Sequence, residues 1–137
     1  MAVVLEKKYL VDEQDKNVGV TLPIRRGTAG YFESSFTTKE QIKSNIKSLL
    51  LTQKGERVMQ PEFGTRLRGL LFEQITTELG SALETEITTA IERWMPYVNV
   101  ESIIYDATED QNRIDLELNY SLKYSNSQIL EQLNIVI

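Results

Sequence analysis

RIDLELNYSLKY, Arg113–Tyr124, alternates without a break: Ile114, Leu116, Leu118, Tyr120, Leu122 and Tyr124 are apolar, and Arg113, Asp115, Glu117, Asn119, Ser121 and Lys123 between them are polar. Successive side chains of a strand point to opposite faces, so the stretch predicts a strand with one buried and one wet face. A sheet of that kind has antiparallel neighbours and helices on one side only. Upstream, Val98, Val100 and Ile103–Tyr105 predict a first strand, and the polar run DATEDQN (Asp106–Asn112) predicts the turn between them. Downstream, Ser125-Asn126-Ser127 predicts another turn, after which Leu133, Ile135 and Ile137 alternate within Gln128–Ile137. An apolar last strand exposes unpaired backbone groups unless something pairs with it.

Ahead of this sheet the hydrophobic period becomes helical. Thr77 opens a helix whose Leu79, Leu83, Ile87, Ala90, Ile91 and Trp94 hold one face, and Pro96 ends it. Thr37-Thr38-Lys39-Glu40 fits a capping box and precedes Ile42, Ile46, Leu49 and Leu50, predicting a helix over 38–52. Gly55 is its expected left-handed stop, with Lys54 beside the last carbonyls. GERVMQPEFGTRLRGLLFEQ (Gly55–Gln74) follows no period and reads equally as a packed connector and as a binding surface. In it Pro61 pushes Gln60 out of the helical region, Phe63 is an anchor toward the core, and Thr65 is expected to cap a short helix through Leu67, Leu70, Leu71 and Phe72. Residues 1–36 read as an arm, with one strand in Val18–Ile24 and a turn in Arg25–Gly30. GTAG at Gly27–Gly30 lacks the lysine and the strand–helix setting of a phosphate loop. The fold class expected is α+β: two main helices packed on a small antiparallel sheet formed mainly by the C-terminal strands, with the arm at 1–36 and the domain at 37–137.

The chain has 137 residues, 41% hydrophobic and 26% charged, the balance of an ordinary folded domain. It has neither His nor Cys, which excludes Ser-His-Asp and Cys-His catalysis, thiolate zinc sites and His-ligated metals, and no cofactor is expected. Carboxylates remain, but Glu84 and Glu86 stand two apart on a helix and point in different directions. A net charge of −5 opposes nucleic acid or an anionic membrane as the main partner. No secretion signal and no apolar run long enough to span a membrane is present, so the expected compartment is cytoplasmic. Charge is sorted along the chain. Residues 37–70 carry seven basic and three acidic side chains, and 71–137 carry three basic and twelve acidic ones. Lys39, Lys43 and Lys47 form a basic stripe on the first helix. The sorting fits either two solvated faces or a subunit meeting different neighbours at its two ends. The residues favour a binding or structural role over an enzyme.

Thr38–Glu73 resembles the baseplate wedge and sheath-initiator family of contractile-tailed bacteriophages, which has relatives in type VI secretion baseplates. The resemblance rests on Gly55-Glu56-Arg57, Val58-Met59, Gln60-Pro61-Glu62-Phe63-Gly64 and Leu70-Leu71-Phe72-Glu73, and continues through Ala90-Ile91-Glu92-Arg93-Trp94. It implies a structural subunit of a sixfold hetero-oligomeric baseplate, located in the virion and assembled in the host cytoplasm. Its implied partners are other wedge proteins and the tail sheath protein. The implied docking surface toward the wedge core comprises Arg57, Pro61, Glu62, Phe63, Gly64, Trp94, Met95, Pro96 and Tyr97. Many members carry Glu-Pro-Arg after the Trp. Met95-Pro96-Tyr97 stands here instead, which implies apolar and aromatic anchors in place of an ion pair. Leu133, Ile135 and Ile137 are implied as the strand that templates sheath by β-augmentation; the alternative is an edge covered by residues 18–24 of the same chain. The family also carries a tail-lysozyme label, although a turn and a helix end explain Glu62 and Glu73 equally well. A regulatory protein-binding adaptor on the same fold is a third reading.

Overall fold

The computed structural model describes residues 17–28, 30–70, 77–108, 113–123 and 131–136. Leu71, Phe72, Glu73, Tyr124, the Ser125–Ser127 turn and Ile137 lie outside the described residues. The elements are β1 (Gly19–Val20), β2 (Ser34–Ser35), α1 (Thr38–Leu51), α2 (Leu67–Leu70), α3 (Thr77–Trp94), β3 (Val98–Thr108), β4 (Arg113–Leu122) and β5 (Glu131–Val136). This is the α+β class expected, with the main sheet at the C-terminal end.

β3, β4 and β5 form an antiparallel meander in chain order. The register puts Leu116 between Tyr105 and Ile135, Leu118 between Ile103 and Leu133, and Tyr120 between Val100 and Glu131. Over Leu116–Leu122 the inward set of β4 therefore falls where expected, whereas Ser121 of the expected wet face is buried. Leu116, Leu118, Tyr120, Leu122, Leu133 and Ile135 are all buried. β3 changes phase part-way. The register shifts between Val100 and Ser102, leaving Glu101 without a cross-strand partner. This bulge moves the inward positions from even-numbered Val98 and Val100 to odd-numbered Ile103 and Tyr105. Glu101 folds over the sheet, where the Ser121 hydroxyl (2.7 Å) and the Asn99 amide (2.8 Å) donate to it. Those two bonds hold its carboxyl below the ordinary glutamate value.

α3 buries Leu79, Leu83, Ile87, Ala90 and Ile91 of the stripe its period predicts and leaves Trp94, the last of it, half-buried. It packs on β3 closely enough that a Cβ on Gly80 would meet the Tyr105 hydroxyl. After Trp94 the chain turns at once, with the Met95 N–H donating to the Ile91 carbonyl (2.7 Å) and the Val98 N–H to the Met95 carbonyl (2.9 Å).

The chain divides into two compact units, Met1–Ser48 and Leu49–Ile137, with the boundary inside α1. In the first unit β1 and β2 pair antiparallel, Gly19 opposite Ser35 and Val20 opposite Ser34. The strand expected over Val18–Ile24 shrinks to two residues. The Leu22 N–H is taken by the Ser44 hydroxyl (3.2 Å) and Pro23 has no N–H, so the ladder cannot continue. α1 starts as a capping box should: the Glu40 N–H donates to Thr37 Oγ1 (3.2 Å). The return bond comes from the Phe36 N–H to Glu40 Oε2 (3.2 Å), one residue before the expected position. Ile42, Ile46, Leu49 and Leu50 are buried.

Candidate functional site

In the second unit, residues 52–65 form a loop closed by backbone bonds. The Thr65 N–H donates to the Thr52 carbonyl (2.9 Å), the Lys54 N–H to the Thr65 carbonyl (3.1 Å) and the Gly55 N–H to the Pro61 carbonyl (2.8 Å). Gly55 and Gly64 supply the positive φ angles, +94° and +109°, that the closure requires. A side chain on Gly64 would collide with the Thr52 carbonyl. Thr65 does not cap the short helix. Its buried hydroxyl donates instead to the Leu50 carbonyl (2.8 Å), locking the loop to the end of α1. Nor does Lys54 reach the last carbonyls of that helix. Its ammonium pairs with Glu86 of α3 at 2.9 Å, and the Arg66 N–H donates to the same oxygen at 3.1 Å. Burial pushes the Glu86 carboxyl up, but the Lys54 and Arg66 bonds and charges outweigh it and hold the group below its ordinary value.

The loop leans on the end of α3 through a stack of side chains. The Arg57 guanidinium lies 3.8 Å from the Phe63 ring centroid, and Phe63 meets Trp94 edge-on with centroids 5.2 Å apart. The Arg93 guanidinium lies 5.5 Å from the Trp94 centroid and pairs with Glu62 at 2.5 Å. Cations over ring faces and edge-to-face rings are the favourable geometries for these groups. The structure thus brings Arg57, Glu62, Phe63 and Trp94 into one corner, with Pro61 and Gly64 shaping its backbone. Phe63 and Trp94 are half-buried, Pro96 is exposed and Tyr97 is half-buried. Met95 is only 4% exposed and so supports the corner from within, presenting no side chain at the surface.

The second candidate feature is the edge of the main sheet. β5 pairs with β4 alone among the described residues, and β1 pairs with β2. Leu133 and Ile135 face inward and are buried, whereas Gln132, Asn134 and Val136 face out. On the outer face, Ile104, Asp106, Glu117 and Val136 line a groove of about 300 Å³. Lys39, Lys43 and Lys47 are half-buried along α1.

Residues 37–127 match the family model of the baseplate wedge protein gp25. The chain belongs to that family. It is 27% identical over 94 residues to the baseplate wedge protein gp25 of Enterobacteria phage T4, covering 69% of this chain and 70% of that one. Among solved structures, the fold matches a subunit of the post-contraction baseplate of pyocin R2 with a TM-score of 0.56 and 26% identity, covering 72% of this chain and 97% of that one. It also matches a Geobacter sulfurreducens protein described provisionally as a tail lysozyme, with a TM-score of 0.60 and 26% identity, over 71% and 88% of the two chains. The stretch Gly55–Gly64 that carries the resemblance lies inside this matched span and within the closed loop, so its glycines, proline and phenylalanine have a joint geometric reason.

Some participants of this site were not legible in the sequence. Glu86 and Arg93 reach partners 32 and 31 positions away. On a helix carrying several carboxylates nothing local distinguishes Glu86 from Glu84 or Glu92.

Proposed function

We propose that this wedge-family chain is a structural subunit of a contractile tail baseplate, located in the virion and assembled in the host cytoplasm. It docks on the wedge core through the Phe63–Trp94 corner and templates the first sheath ring along the edge of β5 away from β4. Other wedge proteins and the sheath protein are its partners, in a sixfold hetero-oligomeric baseplate. The observation that carries the reading is β5, which among the described residues pairs with β4 alone and whose inward side chains are already committed to the core. Such an edge offers a row of backbone donors and acceptors to an arriving strand. Each bond contributes about 1 kcal/mol net, so several bonds and apolar burial together would hold an arm. The fixed inside–outside alternation sets the register.

Two kinds of variant test the edge. Deleting Leu133–Ile137, with thermal unfolding to verify that the domain still folds, is expected to leave baseplate incorporation intact and stop sheath growth. Asn134→Lys with Val136→Lys alters only outward side chains and is expected to blunt the edge. Sheath that polymerises normally from baseplates carrying the double lysine variant would overturn the templating role. For the corner, Trp94→Ala is expected to weaken wedge assembly by about 2 kcal/mol.

A further inference from the structure

We propose that Val58 and Met59 are the anchor by which the corner binds its wedge-core partner, inserting into an apolar pocket on that partner rimmed by carboxylates. The proposal rests on the docking reading of the corner and names its specificity-determining residues. Val58 is 94% exposed and Met59 91% exposed, adjacent at the apex of the closed loop. A scattered exposed apolar residue is ordinary. Two large ones side by side on a loop held shut are different, because this apex cannot collapse onto its own domain to hide them. The Gly55–Pro61 and Lys54–Thr65 backbone bonds hold the base of the loop, and the Gln60 N–H donates to the Arg57 carbonyl (3.2 Å) directly beneath the apex. Below that, Arg57 on Phe63 and Phe63 on Trp94 brace the loop against α3. The apex is therefore presented in a single shape, so little ordering entropy is lost when a partner covers it.

Charge names the chemistry of the pocket. Residues 53–70 carry Lys54, Arg57, Arg66 and Arg68 against Glu56 and Glu62, a net +2 on a chain whose total is −5. Arg93 and Glu86 of α3, paired with Glu62 and Lys54, add one charge of each sign and leave the balance of the corner at +2. The apolar apex thus stands in the basic part of an otherwise acidic protein. A partner that receives it gains most by surrounding an apolar pocket with Asp and Glu. Methionine at the tip suits such insertion, since its unbranched side chain fits an irregular pocket.

The test exploits the absence of cysteine from the chain. Met59→Cys carries an environment-sensitive dye, Ile104→Cys on the outer sheet face carries the same dye as a control, and the purified wedge-core proteins of the same tail are the titrant. The dye at position 59 is expected to shift to the blue on binding, with no shift at position 104. Separately, Val58→Ser with Met59→Ser is expected to weaken binding about tenfold or more, and raised salt to weaken wild-type binding further. Both substitutions lie at exposed positions, so the fold is retained. If the double serine variant binds like wild type while Trp94→Ala binds weakly, the corner docks but Val58 and Met59 are not its anchor. If neither change weakens binding, the docking reading fails with it. A blue shift produced by the unlabelled chain alone would assign the apex to self-association, and binding indifferent to salt would overturn the acidic rim.

Discussion

Tyr120 sits near the end of β4, the middle strand of the main sheet, with its hydroxyl buried and unpaired among the described residues. Burial raises its pKa well above the ordinary tyrosine value, and the Glu131 carboxylate on the neighbouring strand pushes in the same direction. A buried hydroxyl without a partner has lost its water and gained nothing in return. Tyr120→Phe is therefore expected to raise the unfolding free energy by about 1 kcal/mol, read from urea denaturation. Gly64 is the opposite case, because its φ of +109° and its approach to the Thr52 carbonyl leave no room for a methyl group. Gly64→Ala should cost about 2 kcal/mol by the same measurement, and should loosen the loop that carries Arg57 and Phe63. The glycine was legible in the motif. The hydroxyl was not, since an alternating pattern marks Tyr120 as inward without saying what its oxygen meets.

Among elements, the junction between the closed loop and α3 depends on Glu86, which takes the Lys54 ammonium and the Arg66 N–H on one oxygen. Its carboxyl is held below 4.5 in the folded chain. The stabilisation is thus fully present above the unfolded value and is lost as pH falls through the folded one. Glu86→Gln is expected to be less stable than wild type near neutral pH, by about 1 kcal/mol given its partial exposure. The difference should shrink as pH falls below the ordinary glutamate value of 4.5, as denaturation midpoints across a falling pH series would record. A gap that persists unchanged once the carboxyl is protonated would mean that the ionised form is not what matters. The bulge in β3 is also an element-scale feature. In the sequence Ile103, Ile104 and Tyr105 are all apolar, so the change of phase after Val100 is not legible there, and only strand pairing shows that Glu101 is the residue left over.

For the whole molecule, the sorting of charge is expected to matter in assembly. Reversing Lys39, Lys43 and Lys47 to Glu should slow incorporation into the baseplate at low salt, measured by the rate of wedge formation, with the difference fading as salt rises. Equal rates at low salt would assign the stripe to solvent. Cell-wall hydrolysis is not expected from the purified chain in a muramidase assay. A glycosidase acid needs a raised carboxyl pKa, and the carboxylates with resolved shifts among the described residues, Glu86 and Glu101, are both lowered. Glu62 is engaged with Arg93. Hydrolysis abolished by changing Glu62 or Glu73 alone would reverse this expectation.

The order of elements, the α+β class, the inward set of β4 and the stripe of α3 all follow from periodicity. Backbone geometry converts a period of two or of 3.6 directly into a face, with no knowledge of what lies opposite. The capping of α1 and the glycines of the loop are equally local, because a cap or a positive φ is decided within a few residues. Tertiary structure alone decided the rest. It moved Lys54 from a helix end to Glu86, took Thr65 from a cap to the Leu50 carbonyl, cut the arm's strand to Gly19–Val20, and set Arg57, Phe63, Trp94 and Arg93 in one stack. Each of these depends on which distant group arrives within bonding distance. A side chain with several possible partners takes the one that folding brings closest, and sequence spacing carries no record of that distance.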